Sequence, residues 1–347
     1  VLGFPFSWLK TRGGFTHNWV GYEVCRRQWA LGISETRANW AISWMSGVLD
    51  AGVVHVGELR EALGRLVFVY GALSYDKPFL GPLFSFMSLH SLSTTQRLPL
   101  FVKLVITWLR ERLRERRLQK VGKRTTIQQA LFRVDAKAEG LTVGVGGWAP
   151  HYGPDGEVIT SKSRWFSIAL TEQDAPWAFI KGAPARTISA LELLATTLGL
   201  ALLSPPNLSS GTCGSVSVTG MTDSLVSSSV VTRGMSTKFP LCVVAMELSA
   251  QLEARGAELL LDWIPRDVNA EADRLADGDS RGFNPELRVH AEMRHVRWLV
   301  LGRLMQTGIA FHNEAKRHLT KRGRSSLRKQ ATHFAKKRLA LREREPW

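Results

Sequence analysis

The chain has 347 residues, of which 44% are hydrophobic, and a formal net charge of +16 at pH 7. This length allows about two domains with a sizeable core, and because no run of 18 apolar residues occurs, we expect no membrane-spanning helix. The three scattered cysteines fit neither a disulfide framework nor a zinc site, which favours a reducing, intracellular compartment, nuclear or cytoplasmic.

The positive charge is concentrated in two runs, residues 109–124 and 316–345, which flank a more neutral block. This pattern favours a polyanionic partner, because basic side chains release counterions from phosphates. A solvated helix or a disordered tail is an equally good interpretation of the second run, and an anionic membrane surface is a weaker alternative partner. In the first run, the expected nucleic-acid-binding side chains are Arg110, Arg112, Arg114, Arg116, Arg117, Lys120, Lys123 and Arg124.

The first 125 residues are predicted to form a short strand pair followed by helices. "NWVGYEV" alternates as a strand does, and "ISETRANWAISWMSGVLDAG" begins with a serine cap and ends in glycine, as helices do. "HVGELREALGRLVFVYGAL" has helical spacing, whereas "PFLGPLFSFMSLH" is interpreted as an apolar turn that begins at proline. "LPLFVKLVITWLRERLRERRLQK" predicts one long amphipathic helix with a basic end.

The neutral block has a different order of elements. Three strands come first, in "ALFRVDAKAEG", "TVGVGGWAP" and "KSRWFSIAL", and a helix follows in "RTISALELLATTLGLALL". A strand in "SVSVTGMTD", further helices, a strand in "AELLLDWIP" and a helix in "VNAEADRLADG" complete it. Successive strands favour an antiparallel meander and the later alternation favours parallel crossovers. We therefore predict an α/β fold with a mixed five-stranded sheet flanked by helices.

Four carboxylates occupy informative places in this order. Asp135 lies within the first strand, Glu192 lies on the sheet-facing side of the first long helix, Asp223 ends the fourth strand and Asp273 lies in the first turn of the last helix. Three of them have ordinary explanations: a helix N-cap for Asp223, the helix dipole for Asp273 and a face position for Glu192. Asp135 is harder to explain, because an unpaired buried charge costs roughly several kcal/mol.

If the first and fourth strands are neighbours, these four carboxylates converge at one crevice, where their charges repel one another. Divalent cations relieve this repulsion, and Mg²⁺ prefers oxygen ligands. Two such ions about 3.5–4 Å apart can stabilise both the attacking and the leaving oxygen of an in-line displacement. We therefore expect two Mg²⁺ ions, or Mn²⁺ in their place, and the absence of a cysteine or histidine cluster argues against zinc.

Four segments together resemble the ribonuclease H domains of retroelements: "FRVDAKAEGLTVGVGGW", "TISALELLAT", "VTGMTDSLVSSSVV" and "WIPRDVNAEADRLADG". In that family they carry an aspartate before a glycine-rich hairpin strand, a helix glutamate, "TDS" or "TDN", and "N-x-x-A-D-x-L". The resemblance implies a ribonuclease H-like fold, cleavage of the RNA strand of RNA–DNA hybrids, and Asn269 as the residue that fixes the turn before Asp273. It implies that the catalytic metal ligands are Asp135, Glu192, Asp223 and Asp273. The loop before Asp273 lacks the histidine that many ribonucleases H have there.

The upstream segment "LGFPFSWLKTRGGFTHNWVGYEV" resembles the end of a reverse transcriptase palm, with Lys10 in the late lysine motif and "WVGYEV" as the primer-grip hairpin. The next segment, "LGRLVFVYGALSYDKPFLGPLFSFM", resembles DIRS-type retrotransposons and reverse-transcriptase-like proteins of algal and protist genomes. The paired palm aspartates do not occur in this sequence, so we expect them upstream, with the rest of palm and fingers, and expect no polymerase activity from this chain alone.

This resemblance divides the chain into a palm end (1–30), a mostly helical thumb and connection (31–125), a ribonuclease H-like domain (126–285) and a basic C-terminal tail (286–347). Two other functions stay open. One is a catalytically inactive, nucleic-acid-binding remnant of a retroelement polymerase. The other is a transposase- or integrase-like nuclease on the same fold. That class usually carries three acids with a late glutamate, which the "N-x-x-A-D" ending fits poorly.

Overall fold

The computed structural model describes residues 13–121, 125–206, 208 and 216–321, beginning with a small antiparallel sheet. Its first strands are β1 (Thr16–Trp19), β2 (Tyr22–Cys25) and β3 (Ala30–Ile33). Val20 and Gly21 connect β1 to β2 with positive φ angles of 50° and 86°. The predicted strand pair is a tight hairpin, but the segment "NWVGYEV", interpreted as a strand, contains its turn. Lys10 lies outside the described residues.

Helices dominate the segment that follows. In chain order its elements are α1 (Glu35–Ala51), β4 (Val53–His55), α2 (Val56–Ala72), a 3₁₀ turn (Ser74–Phe79), α3 (Leu80–Ser88), β5 (Thr95–Arg97), α4 (Leu100–Glu115) and β6 (Leu118–Lys120). Gly52 ends α1 with a φ of 65°, the left-handed conformation for which the sequence reserves a glycine. The short strands β4 and β5 pair with each other, and β6 pairs with β3.

Two predictions in this segment are wrong. The apolar stretch interpreted as a turn forms α3, because Pro82 is the third residue of the helix, where the missing N–H costs no hydrogen bond, and Leu83 and Phe86 are buried. The single helix expected over the basic run ends at Glu115. The chain then becomes extended, since pairing with β3 satisfies its backbone and the buried side chain of Gln119 donates a hydrogen bond to Ser74.

The second part of the chain is built on a five-stranded sheet. Its elements are β7 (Thr125–Glu139), β8 (Thr142–Ala149), β9 (Arg164–Leu170), α5 (Pro176–Phe179), α6 (Ile188–Leu203), β10 (Val216–Thr222), α7 (Leu225–Arg233), α8 (Leu241–Ala254), β11 (Ala257–Trp263) and α9 (Ala270–Ala276). The strand order is β11-β10-β7-β8-β9, with β7, β8 and β9 antiparallel and β10 parallel to both of its neighbours. The predicted α/β fold with a mixed five-stranded sheet flanked by helices is confirmed.

Helix α6 lies in the core between the sheet and α8. Gly199 allows the close approach to β7, because a Cβ at this position would lie 2.8 Å from Val134 and 2.9 Å from Phe132. Within the described residues, one helical stretch, Pro184–Leu203, has the length and apolar composition of a membrane span, although most of it is buried inside the protein.

A last helix, α10 (Leu301–Lys321), occupies the first part of the segment predicted as a basic tail. Glu247 on α8 is fully buried, and its carboxylate accepts hydrogen bonds of 2.8 to 3.1 Å from the backbone N–H groups of Leu299, Val300 and Leu301. These bonds satisfy donors that a helix start leaves unpaired. Because Phe311 is also buried, α10 is part of the core, and residues 322–347 lie outside the described ones.

Candidate active site

Asp135 and Asp223 lie side by side on neighbouring strands, at the end of the sheet where β10 finishes. We call this end of the sheet the carboxylate edge. Strand β10 runs parallel to β7 with Met221 opposite Arg133, and Asp223 follows the last residue of β10. The two carboxyl groups are close enough for the charge of Asp223 to act on Asp135. Burial raises the pKa of Asp135 to about 8, the negative charge of Asp223 adds to the rise, and the backbone N–H of Ala136 opposes it.

Glu192 lies in the second turn of α6, and a hydrogen bond links it to Ser224, the residue that follows Asp223. Ser224 donates its hydroxyl to the Glu192 carboxylate, and the same hydroxyl oxygen accepts a 3.1 Å bond from the backbone N–H of Ser227 at the start of α7. Burial raises the pKa of Glu192, the Ser224 bond opposes this shift, and the charge of Asp223 adds to it. The N-cap of α7 is therefore Ser224, and the alternative explanation of Asp223 as that cap is wrong.

Asp273, the fourth residue of α9, faces the same edge from the other side. It accepts a 2.7 Å hydrogen bond from the guanidinium of Arg266, whose side chain is otherwise mostly exposed. This bond raises the pKa of Arg266, and the charges of Asp135 and Asp223 contribute as well. The charge of Asp273 in turn helps to raise the pKa of Asp135. Arg266 was missed from the sequence, where nothing marks it apart from its position shortly before the "N-x-x-A-D" motif.

Asn269 holds the turn before α9 against the strand that carries Asp135. It is fully buried, and its amide Nδ2 donates a 3.1 Å hydrogen bond to the backbone carbonyl of Val134. The interpretation of this asparagine as the residue that fixes the turn is consistent with that contact. The oxygen of the same side-chain amide, Oδ1, is also buried and has no hydrogen-bond partner among the described residues.

The glycine-rich strand β8 allows α9 to pack directly on the sheet. A Cβ on Gly144 would lie 1.8 Å from the carbonyl oxygen of Ala276, and one on Gly146 would lie 2.3 Å from the Ala276 nitrogen. Gly146 pairs with Asp135 in the sheet. The absence of side chains at these two positions therefore places Asp273 close to Asp135.

The charges of Asp223 and Asp273 both act on Asp135, and the charge of Asp223 also acts on Glu192, so these carboxylates influence one another electrostatically. Their predicted role as metal ligands stays a prediction. Among the described residues, no three histidine, cysteine, aspartate or glutamate side chains form a preassembled metal-binding group. Glu192 is turned towards Ser224 and Asp273 towards Arg266, which leaves Asp135 and Asp223 as the central pair. Their oxygen donors and their mutual repulsion fit a divalent cation of the Mg²⁺ type.

The basic residues expected to bind nucleic acid are placed less favourably. Arg112 contacts Asp76 at 3.4 Å and also Glu253, and Arg116 bonds to the same Glu253. These ion pairs neutralise two of the proposed phosphate-binding cations inside the protein. The continuous helix expected over residues 109–124 ends at Glu115. The binding of nucleic acid by the basic residues of this run stays a prediction.

The other residues of that run differ in their surroundings. Arg117 bonds to Glu23 at 2.6 Å, and Arg110 and Arg114 both bond to Glu111 on the same helix. Lys120 is exposed on β6, and its proposed role stays a prediction. The two remaining positions, Lys123 and Arg124, lie outside the described residues.

Comparison with protein-family models gives no match for this chain, and comparison with curated protein sequences gives none either. Solved structures that resemble it include RNase H1 of the halophilic archaeon Halobacterium salinarum, 16% identical over 45% of this chain and 97% of that one, with a TM-score of 0.29. An N-terminal RNase H domain from Mycobacterium tuberculosis, solved as a fusion with maltose-binding protein, is 17% identical over 43% and 91%, with a TM-score of 0.28.

A third similar structure is a foamy viral protease-reverse transcriptase in complex with double-stranded DNA. The two sequences are 13% identical. The matched region includes 73% of this chain and 38% of the viral chain, and the TM-score is 0.26. At TM-scores of this size, the assignment of the fold rests on the strand order of this chain's own sheet, and any function rests on the site.

Proposed function

We propose that this chain is a ribonuclease of the ribonuclease H type, which hydrolyses the RNA strand of RNA–DNA hybrids as part of a retroelement reverse transcriptase. The observation that carries the proposal is the central pair of carboxylates, Asp135 and Asp223, on adjacent parallel strands with Glu192 and Asp273 on either side. Among the described residues, no lysine, arginine or histidine forms an ion pair with Asp135 or Asp223. Such an edge has the chemistry of a cation site.

We propose that Asp135 and Asp223 hold Mg²⁺ first and that Glu192 and Asp273 complete the ligand set. Bound there, Mg²⁺ supplies a more acidic water as nucleophile and positive charge for the departing 3′ oxygen. The protein's own residues fix the geometry. Asn269 ties the α9 turn to β7, and glycines in β8 set the distance of α9 from the sheet. Hydrolysis of the phosphodiester then leaves a 5′ phosphate and a 3′ hydroxyl.

Ser224 and Arg266 have positioning roles in this proposal. The Ser224 hydroxyl orients Glu192 while it caps α7, so that the glutamate stays next to Asp223. Arg266 holds Asp273 and presents an exposed guanidinium at the edge where a phosphate enters. A guanidinium at that place offsets the repulsion between the carboxylates and a polyanionic substrate.

The proposed substrate is an RNA–DNA hybrid. We propose that the protein reads the shape of the hybrid and its 2′ hydroxyls rather than base edges. The polymerase context is also a proposal: the β1–β2 hairpin lies at the predicted primer-grip segment, and the helices α1 to α4 follow it in the place of thumb and connection. We propose an intracellular protein whose palm and fingers lie upstream, with nucleic acid rather than a membrane as its partner.

The test is cleavage of a hybrid whose RNA strand carries a 5′ label, in the presence of Mg²⁺. We expect wild type to cut, chelation by EDTA to abolish cutting, and Mn²⁺ to restore it. Asp135→Asn should lose roughly 10³-fold in rate, as expected when a charge-stabilising group is removed. Asp262→Asn is the matched control, because Asp262 is exposed on β11 of the same sheet.

Two results would change the proposal. Equal cleavage by wild type and Asp135→Asn would remove the metal role of that carboxylate. Salt-sensitive binding of the hybrid by wild type without any cleavage would favour an inactive, nucleic-acid-binding remnant.

A further inference from the structure

A groove of about 790 Å³ lies between the start of α6, helix α7 and the loop that connects α7 to α8. We call it the basic groove, because its lining includes five cationic side chains and no carboxylate: Lys77, Lys181, Arg186, Arg233 and Lys238. Lys77 comes from the 3₁₀ turn after α2, so both parts of the chain contribute to this surface. The Cδ atom of Lys77 lies 3.5 Å from the position that a Cβ atom on Gly234 would occupy.

The cations of the basic groove differ from those of the 109–124 run. In the part of the chain that the structure describes, none of the five forms an ion pair with a carboxylate, whereas Arg112, Arg116 and Arg117 all do. Burial lowers the pKa of Lys181, and the positive charges of Lys316 and Lys238 lower it further. A group of like charges that lacks internal partners and lines a concave surface attracts an anion.

The basic groove adjoins the carboxylate edge. Leu225 and Val226, which line it, are the first two residues of α7, and only the N-cap Ser224 separates them from Asp223. Ser189, another lining residue, is three positions before Glu192 on α6, which corresponds to about 4.5 Å along the helix axis. Phosphates on one strand of a duplex recur about every 3.4 Å of axis. A strand with one phosphate at Asp135 and Asp223 therefore has further phosphates within reach of the groove.

We infer that the basic groove binds the phosphodiester backbone of a nucleic acid and that Lys181, Arg186, Arg233 and Lys238 form this site in place of the 109–124 run. The alignment of the groove with a cut strand rests on the proposed function, whereas the binding of nucleic acid does not. With Lys77 in the lining, a bound strand contacts both the helical part and the sheet part of the chain.

The experiment measures fluorescence anisotropy of a labelled 18-base-pair RNA–DNA hybrid with the full chain, in EDTA to prevent cleavage, over a series of salt concentrations. The double variant Arg233→Gln/Lys238→Gln changes two exposed side chains of the groove. Each lost phosphate contact lowers the slope of log affinity against log salt by about 0.9, so we expect a decrease of about 1.8 and at least ~10-fold weaker binding. The matched control, Arg97→Gln/Lys103→Gln, removes the same charge from β5 and α4 and should change the slope by less than about 0.3.

Circular dichroism verifies that both double variants fold, and Arg186→Gln, at another exposed position, gives an independent reading with an expected slope change of about 0.9. A groove variant with the slope of the control would overturn the inference. So would loss of binding to phosphatidylserine vesicles with unchanged binding of the hybrid, which would assign the groove to a membrane surface.

Cleavage of the hybrid in Mg²⁺, measured on the same samples, separates the two proposals. Cleavage by wild type together with control-like binding by the groove variant would leave the nuclease in place and remove the groove. A lowered salt slope in the groove variant, with no cleavage by any sample, would keep the groove and remove the nuclease.

Discussion

Asp76 and Asp135 are almost equally buried, at 4% and 6% exposure, yet their surroundings differ in charge. Arg112 contacts Asp76, and Glu253 beside it bonds to both Arg112 and Arg116. Asp135 instead contacts a second carboxyl group. Burial raises the pKa of both, to about 6 for Asp76, where Arg112 opposes the rise, and to about 8 for Asp135, where Asp223 adds to it.

The difference separates a carboxylate cluster that has its own cationic partners from the cluster to which the proposed function assigns catalysis. Two arginines from α4 and the segment after it neutralise the first cluster, which joins the helical part of the chain to Glu253 on α8. In the second cluster, at the edge of the sheet, Arg266 pairs with Asp273, and the described residues supply no cationic ion-pair partner for Asp135 or Asp223. The proposed function assigns that role to an external cation. The predictions below perturb one cluster or the other.

The largest effect is expected from Arg112→Met, which leaves Asp76 and Glu253 with too little positive charge. Breaking a buried ion pair costs about 3–5 kcal/mol, and because Arg116 remains and Arg112 is partly exposed, we expect about 3 kcal/mol less stability in urea unfolding at pH 7. Arg114→Met on the same helix removes an exposed pair with Glu111 and a long, exposed hydrogen bond to Ser46, and it should cost less than about 0.5 kcal/mol. Equal costs for the two variants would mean that the cluster is not structural.

The next effect is a pH dependence that belongs to Asp76. Its pKa is about 6 in the folded protein against 3.8 as the ordinary value, so the folded state retains a proton that the unfolded state has lost. The associated stability is present below about pH 4 and is lost as pH rises to about 6. Asp76→Asn removes this loss, and its stability relative to wild type should rise by about 2 to 3 kcal/mol between pH 4 and pH 7.

Urea unfolding of wild type and Asp76→Asn across this pH range measures the difference between their free energies of unfolding. The titration of other groups affects both proteins equally and cancels in this difference. A relative stability that stays flat, or that falls with pH, would show that Arg112 fully offsets the burial of Asp76.

Much of the sheet and the site was predictable from the sequence, because both depend on local patterns. Alternating strands, the order of strands and helices, and four motifs placed Asp135, Glu192, Asp223 and Asp273 correctly on their elements. Asn269 was also recognised by its motif. In each case the signal lies within about ten residues, the length of one strand or helix with its turn.

What the sequence did not show depends on contacts between distant residues. Arg112 and Glu253 are 141 positions apart, and nothing near either of them indicates that they meet. The same is true of Glu247 and the start of α10. The basic run was interpreted by its charge alone, which cannot distinguish cations bound to internal carboxylates from those of the basic groove, whose members come from four separate segments.

A smaller effect should come from Mg²⁺ itself, which stabilises only the sheet-edge cluster. An ion that binds the folded state at ten times its Kd adds about 1.4 kcal/mol to the free energy of unfolding. We expect this increase for wild type and Arg114→Met and its absence in Asp135→Asn, measured by thermal unfolding in MgCl₂ against NaCl of equal ionic strength. The same increase in Asp135→Asn would place the ion elsewhere.

The smallest effect has the opposite sign to the first. In EDTA, Asp223→Asn removes the charge that repels Asp135 and provides an amide that can donate to it, so the variant should be more stable than wild type by about 1 kcal/mol. Asp262→Asn, exposed on the neighbouring strand, should leave stability unchanged. A gain in Asp223→Asn together with loss of cleavage is the behaviour of a site whose charge serves an external cation. A loss comparable to that of Arg112→Met would instead make the sheet edge a second structural cluster, and the distinction between the two groups of carboxylates would disappear.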